Sequence, residues 1–296
     1  MTGGIGSIFE DMDKAANTFF GKYLPEQKGE QMTEKEYNEI QAVRRSDLLK
    51  LRRSPLHYKW AKEHPEASTP AMAFGSAAHK FILEGAEAFA EEYAVAPYID
   101  RRTKIGKEEY EHFLQNNQGK TILATEDFEA LTLMHFAMKA HPEAWALVHG
   151  QHETTHVWTD AETGEKCKIR LDCLTTFEGR PTIVDYKTVN TCEDRAFERD
   201  CRQYGYKIQA GMYTEGFAIS SGFMIDAAFV FVCQEKKAPY AVRIYRCDPG
   251  FVEQGNRQFH ELLRAFHQCK EADNWHGYAD GYLVRDEWEE AAEEEA

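Results

Sequence analysis

Asp172, Asp185 and Lys187 are the residues of this chain whose types and spacing offer chemistry. They stand in "KCKIRLDCLTTF" and "TIVDYKT", two apolar runs joined by the turn residues of "EGRP". On neighbouring antiparallel strands the two acids can meet on one sheet face, and Lys187, two residues past Asp185, points to the same side. Hard divalent cations take oxygen ligands and bind through few carboxylates, with water and a substrate phosphate completing the shell. A cation held there would lower the pKa of a bound water, while the ammonium orients that water and stabilises developing charge. The competing reading is an ordinary surface ion pair worth roughly 0–1 kcal/mol.

Such a corner has to be built by strands, and the sequence supplies them. After Gly150 the hydrophobic period changes from helical to alternating: "THVWTD", "KCKIRLDCLTTF" and "TIVDYKT" read as strands, then "AAFVFVCQ" and "YAVRIYRC". In the second run Cys167, Ile169, Leu171 and Cys173 are expected on one face, with Lys168, Arg170 and Asp172 on the other. "DRAFERDCRQYGYKIQAGMYTEGFAI" reads as one helix that places Gln209 and Tyr213 four apart on one face, with Tyr206 in register. Gln209 and Tyr213 could contact a phosphate or a terminal nucleotide; an amphipathic helix edge is the plainer alternative. Gly205, Gly211 and Gly216 each cost that helix about 1 kcal/mol relative to alanine, which points to close backbone approach by a sheet or a ligand. Asp248 and Pro249 open a last amphipathic helix carrying Phe259, Leu262, Leu263, Phe266 and Cys269.

Upstream the signals are helical. Thr33 with Glu36 is a capping box for a helix towards Leu51, and Ser54 with Pro55 opens another. "FGSAAHKFILEG" is a short helix, entered at Gly75 and closed near Gly85, and Thr125 starts one that ends before Pro142. The expected fold is therefore α/β, a mixed central sheet flanked by helices with a helical N-terminal lobe. We expect a flexible segment over 1–30, a main domain over 31–285 (helical lobe 31–149, core 150–272) and an acidic tail over 286–296.

Composition narrows the setting. The chain has 296 residues and net charge −15, yet Asp286–Ala296 alone holds seven acids and no base, as a solvated tail would. Basic residues gather instead in "RRSDLLKLRRSPLHYKWAK" and "DRRTKIGK", so the acidic sum does not exclude a nucleic-acid partner. The seven cysteines form no CxxC pair, as expected of reduced thiols, and neither a signal peptide nor a membrane span is visible. A soluble protein of the cytoplasm is the expectation. A GxxxxGK[ST] nucleotide loop is absent, so no built-in motor is expected.

"HETTH", His152 to His156, matches a zinc-protease pattern that needs a helix to bring both rings to one metal. Thr154 and Thr155 favour a strand instead, which would hold the rings roughly 13 Å apart at about 3.3 Å per residue. Glu153 remains as a spare acid near the first strand of the core.

"GSAAH" with His79, "IRLD" with Asp172, "IVDYKT" with Asp185 and Lys187, and "QAGMY" with Gln209 and Tyr213 occur in that order. Together they resemble the PD-(D/E)xK nuclease superfamily in its RecB-like branch, with a restriction-endonuclease-like sheet. More narrowly, "RRSPLHYKW" and "TPAMAFGSAAHKFILEG" resemble the RecE-type (exonuclease VIII) nuclease domain, over roughly Ser46 to Phe266. The resemblance implies a Mg²⁺-dependent exodeoxyribonuclease, with Mn²⁺ as a substitute, that degrades linear double-stranded DNA from 5′ ends and leaves 3′ single strands for an annealing recombinase. It further implies His79, Asp172, Asp185 and the backbone carbonyl of Tyr186 as metal ligands, Lys187 as the catalytic lysine, and Gln209 and Tyr213 as substrate-positioning residues. A toroidal homo-oligomer and a phage or prophage origin in a bacterial host belong to the same implication. The alternatives are a structure-specific endonuclease, a nuclease subunit serving a separate helicase, and a fold of this kind that only binds.

Overall fold

Alternating apolar residues after Gly150 form the strands they predict. In the computed structural model these are β4 (Gln151–Thr159), β5 (Lys166–Phe177) and β6 (Arg180–Val189), then β7 (Ala228–Glu235) and β8 (Val242–Arg246). Between the two groups lie α9 (Asp194–Tyr204) and α10 (Tyr206–Ser220), and α11 (Pro249–Glu271) closes the core. Ahead of them come β1 (Glu30–Gln31), α1 (Glu34–Glu39), α2 (Arg45–Arg53), α3 (Pro55–Glu63) and α4 (Pro70–His79). A π-helical turn (Lys80–Glu84) leads into α5 (Gly85–Glu92), β2 (Tyr93–Val95), α6 (Lys104–Asn116), β3 (Thr121–Leu123), α7 (Thr125–Lys139) and α8 (Pro142–Leu147). The structure describes residues 30–67, 69–222 and 227–278; apart from Glu30, the expected flexible segment 1–30 and the acidic tail 286–296 lie outside them.

The main sheet runs β1-β4-β5-β6-β7-β8. Its neighbours are antiparallel except β6 and β7, which are parallel and connected through α9 and α10. This is the mixed α/β sheet flanked by helices that the sequence leads one to expect. One face packs Ile169, Leu171, Ile183 and Phe231 against Leu48 of α2, Met212 of α10 and Phe259 of α11. The other packs Cys173, Val184, Tyr186 and Val232 against Ala78 of α4, Met134 of α7 and Leu147 of α8. Helices that precede residue 149 thus contribute to the cores on both faces. Among the described residues no helix is long and apolar enough to cross a membrane, and all seven cysteines are free.

Three local expectations are corrected by the structure. The Thr33–Glu36 capping box forms, but its helix stops at Glu39 instead of running towards Leu51. Val43 pairs with β5, its N–H to Lys166 O at 2.7 Å and its O to Lys168 N–H at 2.9 Å, so an extended segment displaces helix. The single helix expected around Gln209 is split by Gly205 at φ +63°, a left-handed position where a Cβ would also stand 2.4 Å from Leu49. Gly75 lies inside α4, whose actual entry is Thr69 capping Met72 N–H at 3.2 Å. The backbone cost of Gly211 is explained by a helix crossing: a Cβ there would lie 2.1 Å from the Asn256 nitrogen of α11.

Candidate metal centre and active site

β5 and β6 part at the two acids. Their ladder is regular up to the pair Cys173–Val184, and the next facing positions, Asp172 and Asp185, are no longer paired. Below that point β6 leaves and Val43 takes its place along β5. The result is a notch in the sheet, closed on one side by an intact ladder and on the other by an inserted segment. At its edge the Tyr186 N–H donates to Asp172 Oδ2 at 2.9 Å, a side chain standing where a strand carbonyl would otherwise accept.

The strict alternation expected along β5 also fails here. Leu171 and Cys173 enter cores on opposite faces although they are two apart. Across the ladder Glu153, which faces Asp172, has φ +54°, and neither residue takes part in the pairing that holds on both sides of them. A left-handed non-glycine residue inside a strand is costly, of order 1–3 kcal/mol, and such positions cluster at functional sites. The kink turns Glu153 towards Asp172.

Three groups converge as a result. One ligand atom each from His79, Glu153 and Asp172 lies within 4.8 Å of the others, and His79 Nδ1 is 3.5 Å from Asp172 Oδ2. His79 is the last residue of α4, directly before the π-helical turn, an irregularity frequent at functional sites. Its ring lies 5.1 Å from that of Tyr186. Tyr186 is locked in turn, its hydroxyl donating to Gln234 Oε1 at 2.7 Å while Gln234 Nε2 donates to Met134 O at 2.7 Å. The side chain of Tyr186 is therefore a buried strut.

Electrostatics mark the same cluster. Burial, and after it the charge of Asp185, raises the Asp172 carboxyl above the ordinary carboxylate range, so the two acids sense each other. Burial and then Asp172 push Glu153 up to about 7, against the opposing charge of Arg170, whose Nε is 2.7 Å from Glu153 Oε2. Crowded, dehydrated carboxylates of this kind are relieved by a proton or by a cation.

Asp185 does not join those three groups. Its carboxylate is 4% exposed and lies 2.7 Å from Lys187 Nζ, and Gln209 Nε2 donates to its other oxygen. Lys187 also stands 5.0 Å from the centre of the Tyr206 ring. One buried oxygen here, Gln209 Oε1, has no hydrogen-bond partner, and Asp185 Oδ2 meets the Lys187 ammonium. Tyr213 packs against the core, with the Phe229 ring at 6.3 Å, and burial holds its phenol far above the ordinary value. So Asp185, Lys187 and Gln209 form one contact set, His79, Asp172 and Glu153 another, and Tyr213 borders the first without a hydrogen bond to either.

A hard divalent cation suits this donor set. Carboxylates and one imidazole converge, and the buried Gln209 Oε1 nearby lacks a donor. Glu153 is the residue that sequence reasoning left without a role. Counting outwards from the "DAETGEK" turn puts it opposite Asp172, a signal that the hairpin register contained. Arg170, its counter-ion, lies in the "IRLD" segment but had no role assigned to it.

The "HETTH" segment lies on β4, as expected, and does not form a two-histidine metal site. His152 Nε2 bonds Val148 O at 2.8 Å, whereas His156 Nδ1 bonds Ser220 Oγ at 2.9 Å.

Comparison with known proteins agrees with this geometry. Residues 45–282 match the family described as PDDEXK-like domain of unknown function (DUF3799). No curated protein matches the chain. Among solved structures, a protein from Eubacterium rectale named "Putative exonuclease" superposes with a TM-score of 0.54 at 14% identity, over 86% of this chain and 97% of that one. The structure of SSO0001 reaches a TM-score of 0.37 at 12% identity, over 87% and 86% of the two chains, too low to add to the fold assignment.

Proposed function

Because the chain belongs to the family of PDDEXK-like domains over residues 45–282, we propose that it is a metal-dependent 5′-to-3′ exodeoxyribonuclease. Its substrate is the end of linear double-stranded DNA, and its product is a 3′ single strand for recombination by annealing. The observation that carries the proposal is the parting of β5 and β6 at Asp172 and Asp185, with His79 and Glu153 beside the first and Lys187 beside the second. The exonuclease sense is supported by the motif order shared with RecE-type domains and by the name of the Eubacterium rectale protein.

His79, Asp172, Asp185 and the Tyr186 carbonyl would hold the ion, with Glu153 as a further oxygen donor. Bound there, Mg²⁺ or Mn²⁺ supplies charge stabilisation and a water of lowered pKa. The ammonium of Lys187, held by Asp185 at 2.7 Å, donates to the attacking water or to a non-bridging phosphate oxygen. Gln209 fixes the Asp185 carboxylate, and with Tyr213 it borders the path of the strand. Arg170 restrains Glu153. By the same likeness the protein works as a toroidal homo-oligomer beside an annealing recombinase in the cytoplasm of a bacterial host, from a phage or prophage gene.

End-labelled linear duplex and closed circular DNA, each with Mg²⁺ and with EDTA, test the proposal. We expect digestion of the linear form alone, dependent on metal and faster from 5′-phosphorylated ends. Nicking of the circle would make the protein a structure-specific endonuclease, and two unchanged substrates would make it a binding protein.

A further inference from the structure

Two arginines of α2 converge on the joint between α9 and α10. Arg45 donates through Nη2 to the Tyr204 carbonyl. Arg52, two helical turns on and therefore on the same face, donates to the Gln203 carbonyl at 3.0 Å. These are the last free carbonyls of α9, so each arginine acts as a helix-end cap. That role uses one donor of the five a guanidinium carries. Both acceptors are neutral, and among the described residues neither arginine forms an ion pair with a carboxylate.

Arg45 has a second peculiarity: its Nε is buried and has no hydrogen-bond partner. A buried N–H left unpaired is costly, and capping α9 does not account for it. Its position is also particular. Val43, two residues earlier, is the residue fixed to β5 where β6 departs. The guanidinium carbon of Arg45 lies 5.9 Å from the centre of the Tyr206 ring, the ring that Lys187 Nζ approaches to 5.0 Å from the active site.

We propose that Arg45 and Arg52 form a binding site for a phosphodiester of the strand being cut, on the α2 side of Lys187. The site rests on the nuclease reading above and adds to it a track for the strand. Phosphates follow one another at about 3.4 Å of axis along a strand, so a strand cut beside Lys187 brings its next phosphates past Tyr206 to Arg45. There the free N–H groups of the two guanidiniums take the non-bridging oxygens in charge-assisted hydrogen bonds. The α9 carbonyls hold both side chains in place before the strand arrives.

The test is duplex binding without cleavage, by fluorescence anisotropy in EDTA across about 50 to 200 mM salt. Arg45→Met and Arg52→Met are each expected to bind about tenfold more weakly, and to lower the slope of log K against log salt by about 0.9. Arg45→Lys should keep the wild-type slope. Folded Arg45→Met and Arg52→Met proteins with wild-type affinity and slope would overturn the site and leave both residues as helix caps. Should Arg45→Met fail to fold, Arg52→Met, whose side chain is exposed, decides by the same slope. A wild-type protein that cleaves linear DNA while the slopes stay unchanged refutes this site alone; one that neither binds nor cleaves refutes the nuclease reading with it.

Discussion

Gln209 holds Asp185: its amide nitrogen donates to one carboxylate oxygen, while its own carbonyl oxygen is buried without a donor. The contact joins α10 to β6 across the face on which Lys187 lies, so Gln209 sets the direction of the acid. Replacing it by alanine should leave the fold intact and lower the cleavage rate about 10²-fold with little change in KM, because a misdirected ligand spoils chemistry more than binding. Single-turnover kinetics on end-labelled duplex checks this, and a loss confined to KM would assign Gln209 to substrate binding.

Asp185, 4% exposed, is buried against the half-buried Lys187, 19% exposed. Lys187→Met leaves a carboxylate buried without its counter-charge and should destabilise the protein by about 3 kcal/mol in urea unfolding. Adding Asp185→Asn should return most of that loss, since the uncompensated charge goes with it. Both proteins should cleave at least about 10³-fold more slowly than wild type. Additive losses of stability in the double variant would mean that the two side chains do not interact.

His79, Glu153 and Asp172 should bind a divalent cation with an affinity that depends on pH. Glu153 is pushed up to about 7 and Asp172 is raised, so protons compete with the ion. Calorimetric titration with Mn²⁺ should show affinity climbing as pH rises through about 7 and proton release below it. Glu153→Gln should flatten that dependence. An ion at about 100 times its Kd should also stabilise the fold by about 2.7 kcal/mol, visible as a higher Tm.

Burial lowers His156 to about 4, below its ordinary value near 6.5. The unfolded chain therefore takes up the proton first, and this residue favours folding fully above pH about 6.5 and progressively less as pH falls towards about 4. The loss should be on the order of 3 kcal/mol. Comparing urea unfolding of wild type and His156→Gln at pH values on both sides of that window isolates it. An equal pH dependence in the two proteins would show that His156 titrates normally.

Where α10 crosses α11, glycine is required. A methyl group on Gly211 would stand 2.1 Å from the Asn256 nitrogen and 2.4 Å from the Gly255 carbonyl carbon, backbone atoms that cannot turn aside. Gly211→Ala should cost about 3 kcal/mol or more despite the better helix propensity of alanine. Because α10 carries Gln209, cleavage should fall as well. A folded variant of wild-type stability would show that the helices can separate freely.

Local pattern was enough to read the strands, the Ser54 and Asp248 helix starts, the strand character of "HETTH", and the acids and lysine of the proposed site. These follow from side-chain periodicity and capping, which act over a few residues. What the pattern could not contain is the break in that periodicity. Strict alternation would have put Leu171 and Cys173 on one face; the left-handed Glu153 and the departure of β6 separate them and make the notch. The end of α1 at Glu39 was likewise decided by a distant partner, β5, while the break at Gly205 is a left-handed glycine that periodicity alone did not mark.

The chain by itself therefore determined which functional groups are present and on which elements they ride. Only the tertiary structure decided which of them meet: Glu153 with His79 and Asp172, Asp185 with Gln209 and Lys187, Arg45 beside Tyr206. The physical reason is that propensity and period act along the backbone, whereas a notch that gathers carboxylates arises where two strands stop pairing, a property of contacts between segments far apart in the chain.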